Sequence, residues 1–199
     1  MTIKINLYSL GGQITPAETD IFQRAARNLE CAVNHPDFIP RVRAADFREA
    51  LFRPAPNLPR VTKTPEEVVE IIVTGLERNT PADAELDMAV VIDGSIDSPT
   101  LGSTTPGRLP WRTAKWFAER SARAADTVTP ARHLIHEWLH VAGFVHVRNN
   151  GPRKDVPYMV GDIVRATLIE QTVEKAADDI HEDETLRWDF ERANEETED

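Results

Sequence analysis

Residues 136–146 read His136-Glu-Trp-Leu-His-Val-Ala-Gly-Phe-Val-His146 and contain three of the six histidines of the chain. On an α-helix, residues four apart lie side by side, so His136 and His140 can direct imidazole nitrogens at one Zn²⁺ about 2.0–2.1 Å away. Gly143 tolerates positive φ, which favours a helix end there and a chain reversal that brings His146 to the same point. Three neutral ligands leave one tetrahedral position open, which is typical of a catalytic zinc site.

The residue after the first histidine, Glu137, supplies the second part of a hydrolytic site. It lies about 100° around the helix from His136, so it is poorly placed as a third ligand but can reach a water molecule at the metal. We therefore predict that Glu137 is the general base. With 9 glycines and 6 histidines in 199 residues, a glycine and a histidine at the two further offsets arise together by chance about once in 700 cases.

The complete pattern resembles the zinc signature of the metzincin metallopeptidases. That family also has a methionine turn downstream of the third histidine, and Met159, within Val-Pro-Tyr-Met-Val-Gly at 156–161, is similar in setting. The resemblance implies that Met159 lies in a turn and gives the zinc site an apolar floor without being a ligand. No subfamily is assigned, because Val147 stands where many metzincin subfamilies carry a polar residue and Gly161 where some carry a tyrosine ligand.

The resemblance also implies a fold and a path for the substrate. We expect an α/β (α+β) domain with a mixed, twisted sheet, an antiparallel edge strand, an active-site helix and a C-terminal helix. By position, the buried strand is Met88–Ile92, and the edge strand that binds extended substrate lies near Leu101–Thr105. The implied substrate-binding residues are Leu101, Gly102, Ser103, Thr104, Pro157 and Tyr158. Two roles stay open for Tyr158, a wall of the pocket or a direct part in catalysis.

The implied activity is that of a zinc-dependent metalloendopeptidase with one Zn²⁺ per chain and a peptide or protein substrate. Two alternatives stay open. In one, Glu170 or Glu174 on the last helix replaces His146 as the third ligand. In the other, the protein is a catalytically silent, zinc-stabilised binding or regulatory module of the same fold.

Local patterns predict the order of the elements. Thr15-Pro-Ala-Glu18 and Thr64-Pro-Glu-Glu67 each combine a cap residue, a proline and a carboxylate, which is typical of a helix start. The alternation around Ile3–Leu7 predicts a strand, and the unbroken apolar run at 88–92 predicts a strand covered on both faces. Further predictions are a β-like stretch at 38–42, a strand at 111–117, a helix from Thr129-Pro130, and a last helix from near Asp162 past Val173.

The charge is concentrated in one segment. The chain has a formal net charge of −10, and residues 177–199 contribute −9 of it, with eleven carboxylates and two arginines. We therefore expect a catalytic domain over 1–176, with an N-terminal lobe at 1–143 and a smaller C-terminal lobe at 144–176. The acidic tail, 177–199, is either solvated or an inhibitory or docking segment for a partner.

The composition argues against several classes of protein. The acidic balance disfavours nucleic acid as a partner. No stretch approaches the ~18 apolar residues of a membrane span, and the first residues lack an export signal, so we expect no membrane partner and a cytoplasmic location. Cys31, the single cysteine, excludes an intramolecular disulfide; we expect a buried, inert thiol rather than a blocker of the zinc. We expect His133 on the solvated face of its helix.

Overall fold

Six strands and six helices lie within the part of the chain that the computed structural model describes, namely residues 2–47, 49–54, 57–77, 81–146 and 154–195, with side chains as far as Lys175. The predictions for Val147 and for the side chains of the acidic tail lie outside the described residues. In chain order the elements are β1 (Lys4–Gly12), α1 (Pro16–Val33), α2 (Phe38–Arg43), β2 (Leu51–Phe52), β3 (Val61–Thr62), α3 (Pro65–Thr74), β4 (Glu85–Asp93), β5 (Gly102–Ser103), β6 (Trp111–Ala114), α4 (Lys115–Arg123), α5 (Val128–Ala142) and α6 (Val156–Glu195).

The main sheet is mixed, with the strand order β1-β4-β6-β5. Strand β4 is parallel to both β1 and β6, whereas β5 is antiparallel to β6 and forms an edge. The fold is therefore α+β, and the predicted antiparallel edge strand near Leu101–Thr105 is confirmed, with β-pairing limited to Gly102–Ser103. The predicted strand Met88–Ile92 is the buried centre of β4. Strands β2 and β3 form a separate antiparallel pair.

Both predicted helix starts are confirmed. In α1, the Glu18 amide donates to the Thr15 hydroxyl and the Thr15 amide donates to the Glu18 carboxylate, and α3 repeats this capping box with Thr64 and Glu67. Glu18 has a second partner, because Lys115 Nζ donates to both of its carboxylate oxygens at 2.6 and 2.7 Å. This ion pair joins the first turn of α1 to the first turn of α4.

Two predicted strands are corrected. The stretch at 38–42 is the helix α2, because Phe38 and Val42, four residues apart, are both buried on one helical face. The strand predicted over 111–117 ends at Ala114, where β6 passes directly into α4. The apolar residues that follow, Phe117 and Ala118, are buried on α4 rather than on a strand.

Helix α5 lies at the centre of the fold. It packs against α1 and β4, and every residue from His133 to Ala142 is buried. The site residues on this helix therefore stand on a rigid element. Cys31 on α1 is exposed, so the expectation of a buried thiol is wrong: its side chain falls outside the buried stripe that includes Leu29 and Val33.

The chain divides into two compact units, Met1–Thr167 and Leu168–Asp199. The first contains the sheet, the helices α1–α5 and the beginning of α6. The second contains the remainder of α6, whose helical backbone continues across the expected start of the tail at residue 177 as far as Glu195. No described helix has both the length and the apolar character needed to cross a membrane.

Candidate metal centre

Helix α5 presents two histidines on one face, as their spacing predicts. The ring centroids of His136 and His140 are 5.1 Å apart, and both residues are buried. Trp138 and Leu139 between them are fully buried, and the Trp138 indole N–H donates to Glu77 Oε1 at 2.7 Å. Core packing thus fixes the helix that carries the two imidazoles.

The helix ends at Gly143, which has a φ of +128°. A Cβ at this position would lie 2.9 Å from the Phe52 ring and 3.1 Å from the Arg53 carbonyl oxygen, closer than a side chain tolerates. Glycine is therefore required both by the backbone conformation and by the close approach of β2.

Strand β2 then directs the chain beyond the helix. The Val145 amide donates to the Leu51 carbonyl at 3.0 Å, and the Arg53 amide donates to the Gly143 carbonyl at 2.9 Å. The chain reversal brings the ring of His146 within 4.5 Å of the ring of His140, measured between centroids. The three predicted ligands therefore meet, and their ligating nitrogens all lie within 4.8 Å of one another.

The Nδ1 atoms of two of the histidines face oxygen acceptors. His140 Nδ1 lies 2.8 Å from the Phe144 carbonyl oxygen, and His146 Nδ1 lies 2.9 Å from Asp155 Oδ2. Such an acceptor favours the tautomer with its proton on Nδ1, in which Nε2 can bind a metal, as in metal-ligating histidines.

The two Nε2 atoms, of His140 and His146, are 3.1 Å apart. Two nitrogens on a tetrahedral zinc ion are separated by about 3.3 Å. The observed separation is close to that value, so both nitrogens could bind one zinc ion without a large movement. The donor set therefore fits Zn²⁺.

Burial also suits the histidines to metal binding. It lowers the pKa of His136 to about 2 and that of His140 to about 4, and in both cases neighbouring histidines add to the shift. Both imidazoles are therefore neutral at pH 7, the form in which they bind metals.

Glu137 lies beside this cluster with its side chain 7% exposed. Burial raises the pKa of Glu137 to about 7, although a hydrogen bond from Thr104 and the nearby His146 oppose the shift. The Thr104 hydroxyl donates to Glu137 Oε2. A carboxyl group with a pKa near neutrality can both accept and release a proton at physiological pH.

His133 is buried, so the expectation of a solvated position is wrong. Its Nε2 lies 3.0 Å from Thr113 Oγ1 on β6, its Nδ1 lies 3.6 Å from Glu137 Oε1, and its ring packs edge-on against Phe117 of α4. Burial lowers the pKa of His133 to about 3, so this imidazole is neutral as well. The helical pattern alone could not reveal this, because the covering residues come from β6 and α4.

A cleft of about 540 Å³ opens onto the histidines and Glu137. Five of the six predicted substrate-binding residues line it, namely Leu101, Gly102, Ser103, Thr104 and Tyr158. The sixth, Pro157, is buried and is not among the described residues that line the cleft.

Tyr158 packs against two of the histidines. Its ring lies 4.6 Å from the ring of His136 and stacks on that of His146 at 4.9 Å, between centroids. This position agrees with a wall of the pocket.

The segment around Met159 is helical, so the predicted turn is wrong. Helix α6 begins at Val156 rather than near Asp162, and the Met159 amide donates to the Asp155 carbonyl at 3.0 Å. The cause is local: Asp155 Oδ1 accepts from the Tyr158 amide at 3.3 Å as a helix cap, and Pro157 in the first turn favours the same start. Met159 is half-buried and is not among the described residues lining the cleft.

The sequence did not predict three features of the site, namely Asp155, Thr113 and the contacts of His133. Asp155 could have been found, because an aspartate two residues before a proline is typical of a helix start. Thr113 has no such signal. Glu170 and Glu174, the alternative third ligands, are exposed, and the metal-binding group found among the described residues consists of the three histidines.

Comparisons of the chain with protein-family models, with curated proteins and with solved structures give no match. The function must therefore be inferred from the chemistry of the site.

Proposed function

We propose that this protein is a zinc-dependent peptidase with a metzincin-like fold, which binds one Zn²⁺ through His136, His140 and His146. The proposal rests above all on one observation: the ligating nitrogens of the three histidines lie within 4.8 Å of one another beside a buried glutamate, and all four residues line an open cleft. A structural zinc site has no need of that carboxylate or of the cleft.

Zinc bound at such a site lowers the pKa of a water molecule to about 7 and polarises a carbonyl group. Glu137 accepts a proton from the attacking water and passes it to the leaving nitrogen of the peptide. Its raised pKa suits both transfers, because neither protonation state is strongly favoured at neutral pH.

The edge strand β5 binds the substrate backbone in this proposal. Its inner side pairs with β6, and no further strand pairs with its outer side among the described residues. An extended peptide can therefore add to the sheet there, with side chains directed into the cleft. Tyr158 also lines this cleft.

Incubation of the zinc-loaded protein with an unbiased pool of peptides, with and without a chelator, tests the proposal. We expect cleavage that the chelator abolishes and that added zinc restores, together with one zinc per chain by elemental analysis. Absence of cleavage by a fully zinc-loaded sample would contradict the proposal and favour the catalytically silent binding module.

A further inference from the structure

The Glu137 carboxylate is contacted on both of its oxygens by side chains outside the predicted signature. The Thr104 hydroxyl donates to Oε2, and His133 Nδ1 faces Oε1 at 3.6 Å. A carboxylate offers about four acceptor positions, so these two contacts leave room for a water molecule.

His133 is in turn held by Thr113, which is fully buried on β6. Because burial keeps His133 neutral, its ring carries one proton, and a carboxylate on the Nδ1 side favours that proton on Nδ1. The Thr113 hydroxyl then donates to Nε2. The four side chains therefore contact one another in the order Thr113, His133, Glu137 and Thr104. Each oxygen of the Glu137 carboxylate faces a donor.

Strand β5 approaches this group closely, and the absence of a side chain at Gly102 allows it. A Cβ on Gly102 would lie 2.7 Å from His133 Cε1 and 3.1 Å from Glu137 Oε1. Gly102 also pairs with Thr113 in the sheet register. Glycine at position 102 is therefore needed for β5 to pass this close to His133 and Glu137.

We propose that Thr104 and His133 are positioning residues, which together fix the orientation of the Glu137 carboxylate towards the cleft. Thr104 is the stronger of the two because its contact is a hydrogen bond, whereas 3.6 Å is too long for one. The inference rests on the proposed function, since it assigns these residues a part in the same reaction.

The expected effect is on turnover rather than on substrate binding. A displacement of about 1 Å at a reacting group costs on the order of 10²-fold in rate. Thr104→Val keeps the shape of the side chain and removes the hydroxyl, and we expect kcat to fall about 10–100-fold with KM within twofold. Thr104→Ser restores the hydroxyl, and we expect kcat within about threefold of the native value. Thr62→Val, at an exposed position on β3 outside the site, is the matched control and should leave kcat unchanged.

His133→Phe removes both ring nitrogens and keeps a ring against Phe117. We expect a smaller loss, about 3–10-fold in kcat, because the contact that it removes is longer. Circular dichroism melting and zinc content establish that each variant is folded and loaded. The substrate is a fluorogenic peptide taken from the pool experiment.

A second readout separates this inference from the proposed function. Co²⁺ occupies nitrogen sites of the kind that bind zinc, and its visible absorption reports on the groups around it. We expect Thr104→Val to shift the spectrum of the Co²⁺-loaded protein in the same direction as Glu137→Gln does. In the Glu137→Gln background Thr104→Val should add nothing, because the two residues act as a unit.

The outcomes are distinct. Native cleavage together with a Thr104→Val kcat within twofold of native overturns the inference and leaves the proposed function in place. If the native protein cleaves nothing, the Co²⁺ spectrum decides: a shift in Thr104→Val supports the positioning role, and a spectrum identical with the native one overturns it. A protein that takes up neither metal overturns both proposals.

Discussion

Asp155 holds His146 through a contact that can be changed without deleting the side chain. Its Oδ2 lies 2.9 Å from His146 Nδ1, and its Oδ1 accepts from the Tyr158 amide at 3.3 Å as the cap of α6. Asparagine caps helices as well as aspartate does. Asp155→Asn therefore keeps the cap and replaces only the carboxylate that faces His146 with a neutral amide.

We expect Asp155→Asn to weaken zinc binding. Partners of this kind contribute 10–100-fold to metal affinity, or about 1.4–2.7 kcal/mol. Because the His146 side chain is 43% exposed, water weakens its interaction with Asp155. We therefore expect the zinc affinity to fall roughly 10–30-fold, near the lower end of that range. Asp155→Ala removes the cap as well, and should also lower the free energy of unfolding of the metal-free protein by about 1 kcal/mol.

Competition with a chromophoric zinc chelator measures the affinity, and urea unfolding of the metal-free protein measures stability. The control is Asp46→Asn, which removes an exposed carboxylate paired with Lys154 at 2.8 Å and should change neither quantity. A zinc affinity for Asp155→Asn within twofold of native would refute the assignment of Asp155 as the residue that orients His146.

Three further outcomes are expected. Glu137→Gln should retain zinc, by elemental analysis, while peptide cleavage falls by ~10²–10⁴; near-native turnover removes Glu137 from the reaction. Gly143→Ala should lower the free energy of unfolding by about 1–3 kcal/mol, since its Cβ would meet the Phe52 ring at 2.9 Å; chemical denaturation showing native stability contradicts this. Lys115→Met should lower the free energy of unfolding by about 2 kcal/mol at pH 7. Burial alone would raise the pKa of Glu18, but its hydrogen bonds to Lys115 and Thr15 lower that pKa below the usual 4.5. The stabilisation by the ion pair is therefore fully present above pH 4.5 and is lost as the pH falls through the lowered pKa. Urea unfolding of native protein and variant should therefore converge in acid, and a difference that is constant with pH refutes the role of the pair.

The meeting of the three imidazoles could be predicted because it depends on spacing within one continuous segment. His136 and His140 are neighbours on any helix, and Gly143 is the residue at which that helix can end. The starts of α1 and α3 could be predicted for the same reason, because a capping box is formed by residues three apart in sequence.

His133 and Met159 show where spacing is insufficient. A helical pattern places His133 relative to its own helix, but Thr113 and Phe117 from other elements determine whether water reaches it. At Met159 the resemblance to the metzincins predicted a turn, whereas the neighbouring residues favour a helix. Asp155 and Pro157 start a helix, and that preference decided the conformation.

The residues that contact Glu137 and His146 cannot be predicted from sequence spacing in the way that the ligands can. Thr104 precedes Glu137 by 33 residues, and Asp155 follows His146 by nine. A single hydroxyl or carboxylate has no periodicity that marks it, so only the register of the sheet and the start of α6 bring these groups to the site. The zinc pattern by itself therefore predicts where a metal binds, whereas the alignment of Glu137 depends on contacts that the pattern does not contain. If that division is correct, the two kinds of partner act on different quantities: Thr104→Val should lower kcat with zinc affinity unchanged, and Asp155→Asn should lower zinc affinity with little change in kcat once the protein is saturated with zinc.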